Sequence, residues 1–439
     1  MSKKYLRNTI MLLWTTLLLI TAAVVASLPS SAFAFQGSVP SRLVHRSTDT
    51  TSLCAKNILI AFDGSGNNAR SLEPSTKTDR CFTNIVRLHL LAGGDINGRK
   101  TDSIPGQISL YQRGMGGTTN SKILKRLRVI RGDLSRQTKP LRKQLKAVYE
   151  PGDKLFLIGF SRGAAAARKF AVELARSGLN TRKYGRVRTI PIEFLGCFDT
   201  VAIQYKKNFF ENLQNRRNKL ITKSTVFREK GQIAPNVRYA VHNVALDDNR
   251  QWGSFATQFP PVLMGVDDKR VNEVWFPGIH GDIGGKFFER GLNDNSCQYM
   301  KEWMEKLGLK FLAAEEVDPE CLVIDKYPDV RITTDSLCIV PKSTQPAKIH
   351  NDQEYQQKTK GVTPSYRPVI AVSNDKILPG GLIRVHESVL HYMVAQKQQG
   401  TPYAINPNLK GQNIVVVGPL GKVLNDETKQ LVTLLERDY

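Results

Sequence analysis

The stretch KLFLIGFSRGAAAARKF, Lys154 to Phe170, places one polar residue at the break between two patterns. Leu155 to Phe160 form a continuous apolar run of strand length, and Ala164 to Ala167 open a helix-forming run that stops at Gly178. Between them stands Gly159-Phe160-Ser161-Arg162-Gly163, a Gly-x-Ser-x-Gly match. A strand that turns sharply into a helix needs small residues around the turn, because the two elements must approach closely. The turn then holds the serine hydroxyl out at the carboxyl end of a sheet. Strand, turn and small-residue helix occur here in that order, which favours a nucleophile over an ordinary glycine-flanked turn.

A serine hydroxyl needs a base to take its proton and an acid to orient that base. Asp199 closes the apolar run IEFLGCFDTV, and His280 closes EVWFPGIH before the glycine-rich GDIGG. The chain order Ser161, Asp199, His280, each at a strand end, is that of an α/β-hydrolase triad. Asp247, at the end of VRYAVHNVAL, is the alternative acid, and His386 in RVHESVL the alternative base. His242 lies inside its run and reads as a core histidine. Oxyanion donors are expected from the backbone N–H of Arg162 and from Gly64, which with Ser65 leaves the strand of AFDGSGNN. That loop lacks the Gly-Lys-Ser/Thr ending of a phosphate loop, and no carboxylate cluster accompanies Asp63. Neither a metal nor a cofactor is expected.

Outward from this centre, apolar runs at 57–62, 155–160, 190–201, 237–246 and 273–280 alternate with helical stretches. The pattern predicts a mostly parallel sheet with helices on both faces, the α/β class. Lys3, Lys4 and Arg7 precede an apolar run from Ile10 to Leu28 and an A-x-A site at Ala32 to Ala34. This is the form of a signal peptide over 1–34, cleaved after Ala34, or a membrane anchor if uncleaved. The expected organisation continues with a linker at 35–56, a catalytic domain at 57–312 and an appended C-terminal region at 313–439. Six cysteines (Cys54, Cys81, Cys197, Cys297, Cys321, Cys338) could pair in an exported chain, and no CxxC spacing suggests zinc. Cys197 reads as a buried small residue.

FDGSGNN, TNIVRL, YQRGMGG, GFSRGAAAAR, FLGCFDTVA, VHNVALDDNR and VWFPGIHGDIGG together resemble, in order, an α/β-hydrolase family that includes the type VI secretion phospholipase effectors. The resemblance covers roughly residues 57–310, and RVHESVL is similar to a short motif from the C-terminal part of that family. It implies a Ser161-Asp199-His280 triad and carboxylic-ester hydrolysis, with phospholipids as substrate class. Lys286 stands where a third glycine is usual, and Ser65 where threonine is usual. The export signal differs from type VI delivery, so the toxin role is not carried over with the chemistry.

The 439 residues carry a net charge of +24, which calls for an anionic partner surface. Ten Lys or Arg residues lie between Lys122 and Lys146, the pattern expected of docking on an anionic membrane that presents a lipid ester substrate. The basic segments at 122–154 and 181–230 lack interleaved aromatics, so no nucleic-acid partner is expected. The competing class is a basic membrane-surface or nucleic-acid binding protein with a vestigial hydrolase elbow. The oligomeric state is not readable.

Overall fold

The computed structural model describes residues 55–69, 82–99, 101, 103–116, 134–201, 232–249, 263–287, 291–325, 332–341, 366–373, 376–400, 403 and 405–438. Residues 1–34, expected to be a signal peptide, most of the expected linker, Cys54, Cys81 and the basic runs 122–133 and 202–231 lie outside them. No helix among the described residues is long and apolar enough to cross a membrane.

Strands β1 (Asn57–Phe62), β2 (Gln107–Gln112) and β3 (Lys154–Phe160) begin the sheet, with helices α1 (Asn84–Leu91), α2 (Ser135–Val148) and α3 (Arg162–Ser177) between or after them. A short hairpin, β4 (Leu179–Thr181) with β5 (Gly185–Val187), leads to β6 (Ile192–Phe198), β7 (Val237–Ala245) and β8 (Val271–Phe276). Helices α4 (His280–Gly284) and α5 (Gly291–Lys306) follow. A second small hairpin pairs β9 (Val372–Ser373) with β10 (Lys376–Ile377). The chain closes with β11 (Ile383–His386), α6 (Glu387–Gln398), β12 (Ile414–Val417), β13 (Val423–Leu424) and α7 (Asn425–Asp438).

Among the described residues one nine-stranded sheet runs β13-β12-β11-β8-β7-β6-β3-β1-β2. Every neighbouring pair is parallel except β12 with β13. Strands buried on both faces explain why NILIAF and LFLIGF are unbroken apolar runs rather than alternating ones. Successive side chains still point to opposite faces. Ile58, Ile60, Leu155 and Leu157 meet Leu141, Leu145, Ala164–Ala167 and Phe170 from α2 and α3. Leu59, Ala61, Phe156, Ile158 and Phe160 meet Ile85 and Leu88 of α1 and Met300 and Met304 of α5.

The chain leaves β1 for β2 on one side and then places β3 on the other. The carboxyl ends of β1 and β3 are therefore the point where strand order reverses, the usual ligand crevice of an open α/β sheet. The loop 63–67 and Ser161 both stand there.

The C-terminal region is less separate than the expected boundary at 312 implies. Its strands β11 and β12 continue the central sheet through Val385 beside Trp275. Val385, Val389, Leu390, Val416 and Leu431 share a core with Val244 and Trp275. A strand edge left at β8 would expose its ladder to water, and this region covers it. Cys197, Cys297, Cys321 and Cys338 are free thiols, and Cys197 is fully buried as expected, its thiol pushed up to about 12 by burial.

Candidate active site

Ser161 occupies the single residue between β3 and α3, at φ 57° and ψ −123°. A non-glycine residue held there stores strain on the order of 1–3 kcal/mol. The surroundings over-determine the turn. The N–H of Ser161 donates to the Phe198 carbonyl (2.9 Å), and its carbonyl accepts from Val201 N–H (3.1 Å). The flanking glycines are required by backbone proximity. A Cβ on Gly159 would lie 2.5 Å from the Gly163 carbonyl oxygen, and one on Gly163 would lie 2.3 Å from that of Phe62.

Register puts Phe160 level with Phe198, so Ser161 and Asp199 leave adjacent parallel strands side by side. Asp199 also has positive φ, 40°, and its N–H donates to the Asn243 carbonyl (2.8 Å). His280 begins α4, four residues beyond β8. Its Nδ1 lies 2.6 Å from Asp199 Oδ2. Both residues are buried, and the His280 ring packs on Phe160, centroids 4.6 Å apart.

Burial opposes ionisation of Asp199, but the Arg367 guanidinium and the His280 bond outweigh it and hold the carboxyl well below the usual range. Arg367 Nη1 donates to Oδ1 (2.6 Å) and Nη2 to Oδ2 (3.2 Å), while Ala245 N–H donates to Oδ1 (3.1 Å). An acid so held can only accept, so Nδ1 of His280 carries the proton and Nε2 is left as the basic nitrogen.

The loop that delivers His280 is fixed by two carboxylates. Gly278 N–H donates to Asp247 Oδ2 (2.6 Å), and Ile279 N–H donates to Asp282 Oδ2 (2.9 Å). Asp247, the alternative acid, spends its other acceptor capacity on the Tyr403 hydroxyl and on Asn406 N–H (3.2 Å). Its carboxyl is pushed up to about 7 by burial. It braces the loop, and the carboxylate on the imidazole is Asp199.

His386, the alternative base, is committed elsewhere. Its Nδ1 accepts from Ser388 N–H (3.2 Å) as the N-cap of α6, and its ring stacks on Phe276 at 4.4 Å. His242 is a satisfied core histidine: Nε2 accepts from Thr200 N–H (3.0 Å), so Nδ1–H donates to Glu273 Oε2 (2.8 Å). That contact braces the residue directly after Asp199.

Gly64, the expected second oxyanion donor, has its N–H engaged within its own loop. Its N–H donates to Asp63 Oδ1 (2.7 Å), because the buried Asp63 gathers donors from its own loop. Thr83 Oγ1–H (2.9 Å) and the Tyr111 hydroxyl (2.7 Å) also donate to it. Ser65, the next residue, is joined to the elbow instead: Arg162 Nε donates to its Oγ (2.6 Å). The Arg162 N–H stands at the first position of α3, where helical N–H groups have no acceptor within the helix. Among the described residues no group of three or more His, Cys, Asp or Glu could hold a metal ion.

Sequence reasoning missed Arg367 and Asp248. Asp248 follows Asp247 directly and could have been suspected as a second strand-end carboxylate. Arg367 lies 168 positions from Asp199 with no local motif to mark it.

A family model described as T6SS, phospholipase effector Tle1-like, catalytic domain, matches residues 56–186 and 180–306. Comparison with curated proteins finds no significant match. Among solved structures, an uncharacterized protein from Pseudomonas aeruginosa is 19% identical, with 64% of this chain and 50% of that chain covered and a TM-score of 0.37. The Tle1 effector bound to the VgrG spike of the type 6 secretion system is 23% identical over 56% of each chain, TM-score 0.34. A serine hydrolase involved in carbazole degradation is 14% identical over 57% of this chain and 91% of that chain, TM-score 0.26. The chain spans about half the length of the first two.

Proposed function

Since the chain belongs to the type VI secretion Tle1-like phospholipase effector family, we propose that it is a serine hydrolase of carboxylic esters in phospholipids or related lipids. The observation that carries this reading is the 2.6 Å contact of His280 Nδ1 with Asp199 Oδ2, at the strand end beside the Ser161 turn. In the proposed cycle His280 Nε2 takes the Ser161 Oγ proton as the oxygen attacks the ester carbonyl. Asp199 stabilises the imidazolium that forms. The Arg162 N–H, at the positive end of α3, and the neighbouring Ser65 N–H are the proposed oxyanion donors. Collapse expels the alcohol, protonated by His280, and leaves an acyl-Ser161 that water then cleaves.

The lipid surface is proposed to be anionic. Support comes from the net charge and from α2, where Arg136, Lys139 and Lys143 are exposed. Export through the N-terminal apolar segment is proposed from sequence alone. Residues 313–439 are proposed to serve the catalytic domain rather than a separate activity, supported by Arg367 on Asp199.

A fluorophosphonate probe tests the nucleophile. It is expected to label the wild type once, on the peptide containing Ser161, and to leave Ser161→Ala unlabelled. Labelling of Ser161→Ala to wild-type extent would remove the assignment.

A further inference from the structure

We propose that Arg367 and Asp248 extend the catalytic constellation as positioning residues, a buried Asp248–Arg367–Asp199 chain that sets the pH range over which His280 is a competent base. The inference rests on the Ser161-His280-Asp199 reading above. Both side chains are buried. Arg367 bridges the two carboxylates, bidentate on Asp199 and paired through Nη2 with Asp248. It is fixed from behind: its N–H donates to the Asp248 carbonyl (3.3 Å), and its own carbonyl accepts from Asn406 Nδ2 (2.8 Å) and Asn408 Nδ2 (3.0 Å).

The Arg367 guanidinium, which binds both Asp199 oxygens and shares Oδ2 with His280 Nδ1, divides the attraction of that carboxylate. Part of the negative charge is answered by Arg367, so less remains to stabilise imidazolium on His280. The base stays neutral, hence active, to lower pH than a bare Asp–His pair would allow. Asp248 moderates this by answering part of the Arg367 charge.

Among the described residues, charged groups on the elements around His280 include Asp247 and Asp282, which hold its loop, and Lys286, whose Nζ lies 5.8 Å over the Phe160 ring. Arg162, at the start of α3 beside Ser161, is tied to Ser65. None of these is substituted in the variants below, so the variants are compared with wild type at the same pH, the Asp247 carboxyl, pushed up to about 7 by burial, being present in all of them.

The pair predicts shifts of opposite sign. Asp248→Asn leaves Arg367 acting fully on the dyad, so imidazolium is disfavoured. Arg367→Met combined with Asp248→Asn leaves Asp199 acting alone, so imidazolium is favoured. The measurement is kcat/KM on a soluble short-chain ester against pH. The acid limb is expected to move down by about half a pH unit in Asp248→Asn and up by about one in the double variant. Fluorophosphonate labelling at plateau pH reports whether each variant is folded. Should the double variant not fold, the downward shift in the near-isosteric Asp248→Asn decides alone. Limbs that coincide with wild type, or that move in the same direction, overturn the role of Arg367. Failure of the triad itself is distinguishable, because then Ser161→Ala would keep wild-type kcat/KM.

Discussion

His386 is neutral in the folded protein because burial, with a smaller contribution from nearby His391, brings its imidazole down to about 3. In the unfolded chain it takes up a proton near pH 6.5. Between these values the unfolded state binds more protons than the folded one, so stability falls as pH drops from 6.5. His89, lowered to about 4 by burial, acts in the same direction. Asp247 acts in the opposite direction, since its folded carboxyl stays protonated to about 7 while an unfolded one ionises near 4. The His386 contribution can be isolated with His386→Phe, which keeps a ring on Phe276 and removes the titration. Cooling of the melting transition between pH 6.5 and 4 should be smaller in the variant, with about 3 kcal/mol of pH-dependent loss removed. The lost cap of α6 costs about 1 kcal/mol at every pH. An identical pH slope in both proteins would mean that His386 is charged when folded. At catalysis the same variant should keep kcat, because this ring is committed to Phe276 and Ser388 rather than to Ser161.

Helix α2 separates its faces cleanly: Leu141 and Leu145 are buried against the sheet, while Arg136, Lys139 and Lys143 are exposed. A cationic face near anionic head groups contributes about 1 kcal/mol per residue, within a Debye length of about 8 Å at physiological salt. Hydrolysis of anionic vesicles should therefore fall steeply as salt rises, while hydrolysis of a soluble ester should hardly change. Parallel salt curves would reduce this face to a solubility feature. At the same scale, the turn from β3 into α3 is legible in the sequence, because Gly159 and Gly163 are demanded by close backbone contacts between strand and helix. The hydrogen bonding of the loop after β1, proposed to supply an oxyanion donor, was not legible in the sequence. Where the Gly64 N–H points depends on Asp63, which also collects Thr83 and Tyr111 from other elements, and no local pattern encodes that.

Across the whole molecule, the parallel sheet and its two covered faces follow from alternating apolar runs and helices, and the sequence reading located the strands that carry Ser161, Asp199 and His280. The C-terminal part was harder. Its strands are short, and their partner is β8, more than a hundred residues earlier, so no local pattern ties them to the sheet that Val385 joins beside Trp275. Arg367 was invisible for the same reason: an ion pair spanning 168 positions leaves no spacing to read. The fold thus closes a long loop of chain onto the acid of the proposed triad. The most direct measurement is phospholipid hydrolysis by wild type beside Ser161→Ala, with melting temperatures matched to show an intact fold. The triad predicts that kcat/KM falls by about 10³-fold or more in the variant, leaving what binding and the oxyanion donors supply. A folded Ser161→Ala protein that still cleaved phospholipid at close to the wild-type rate would contradict it.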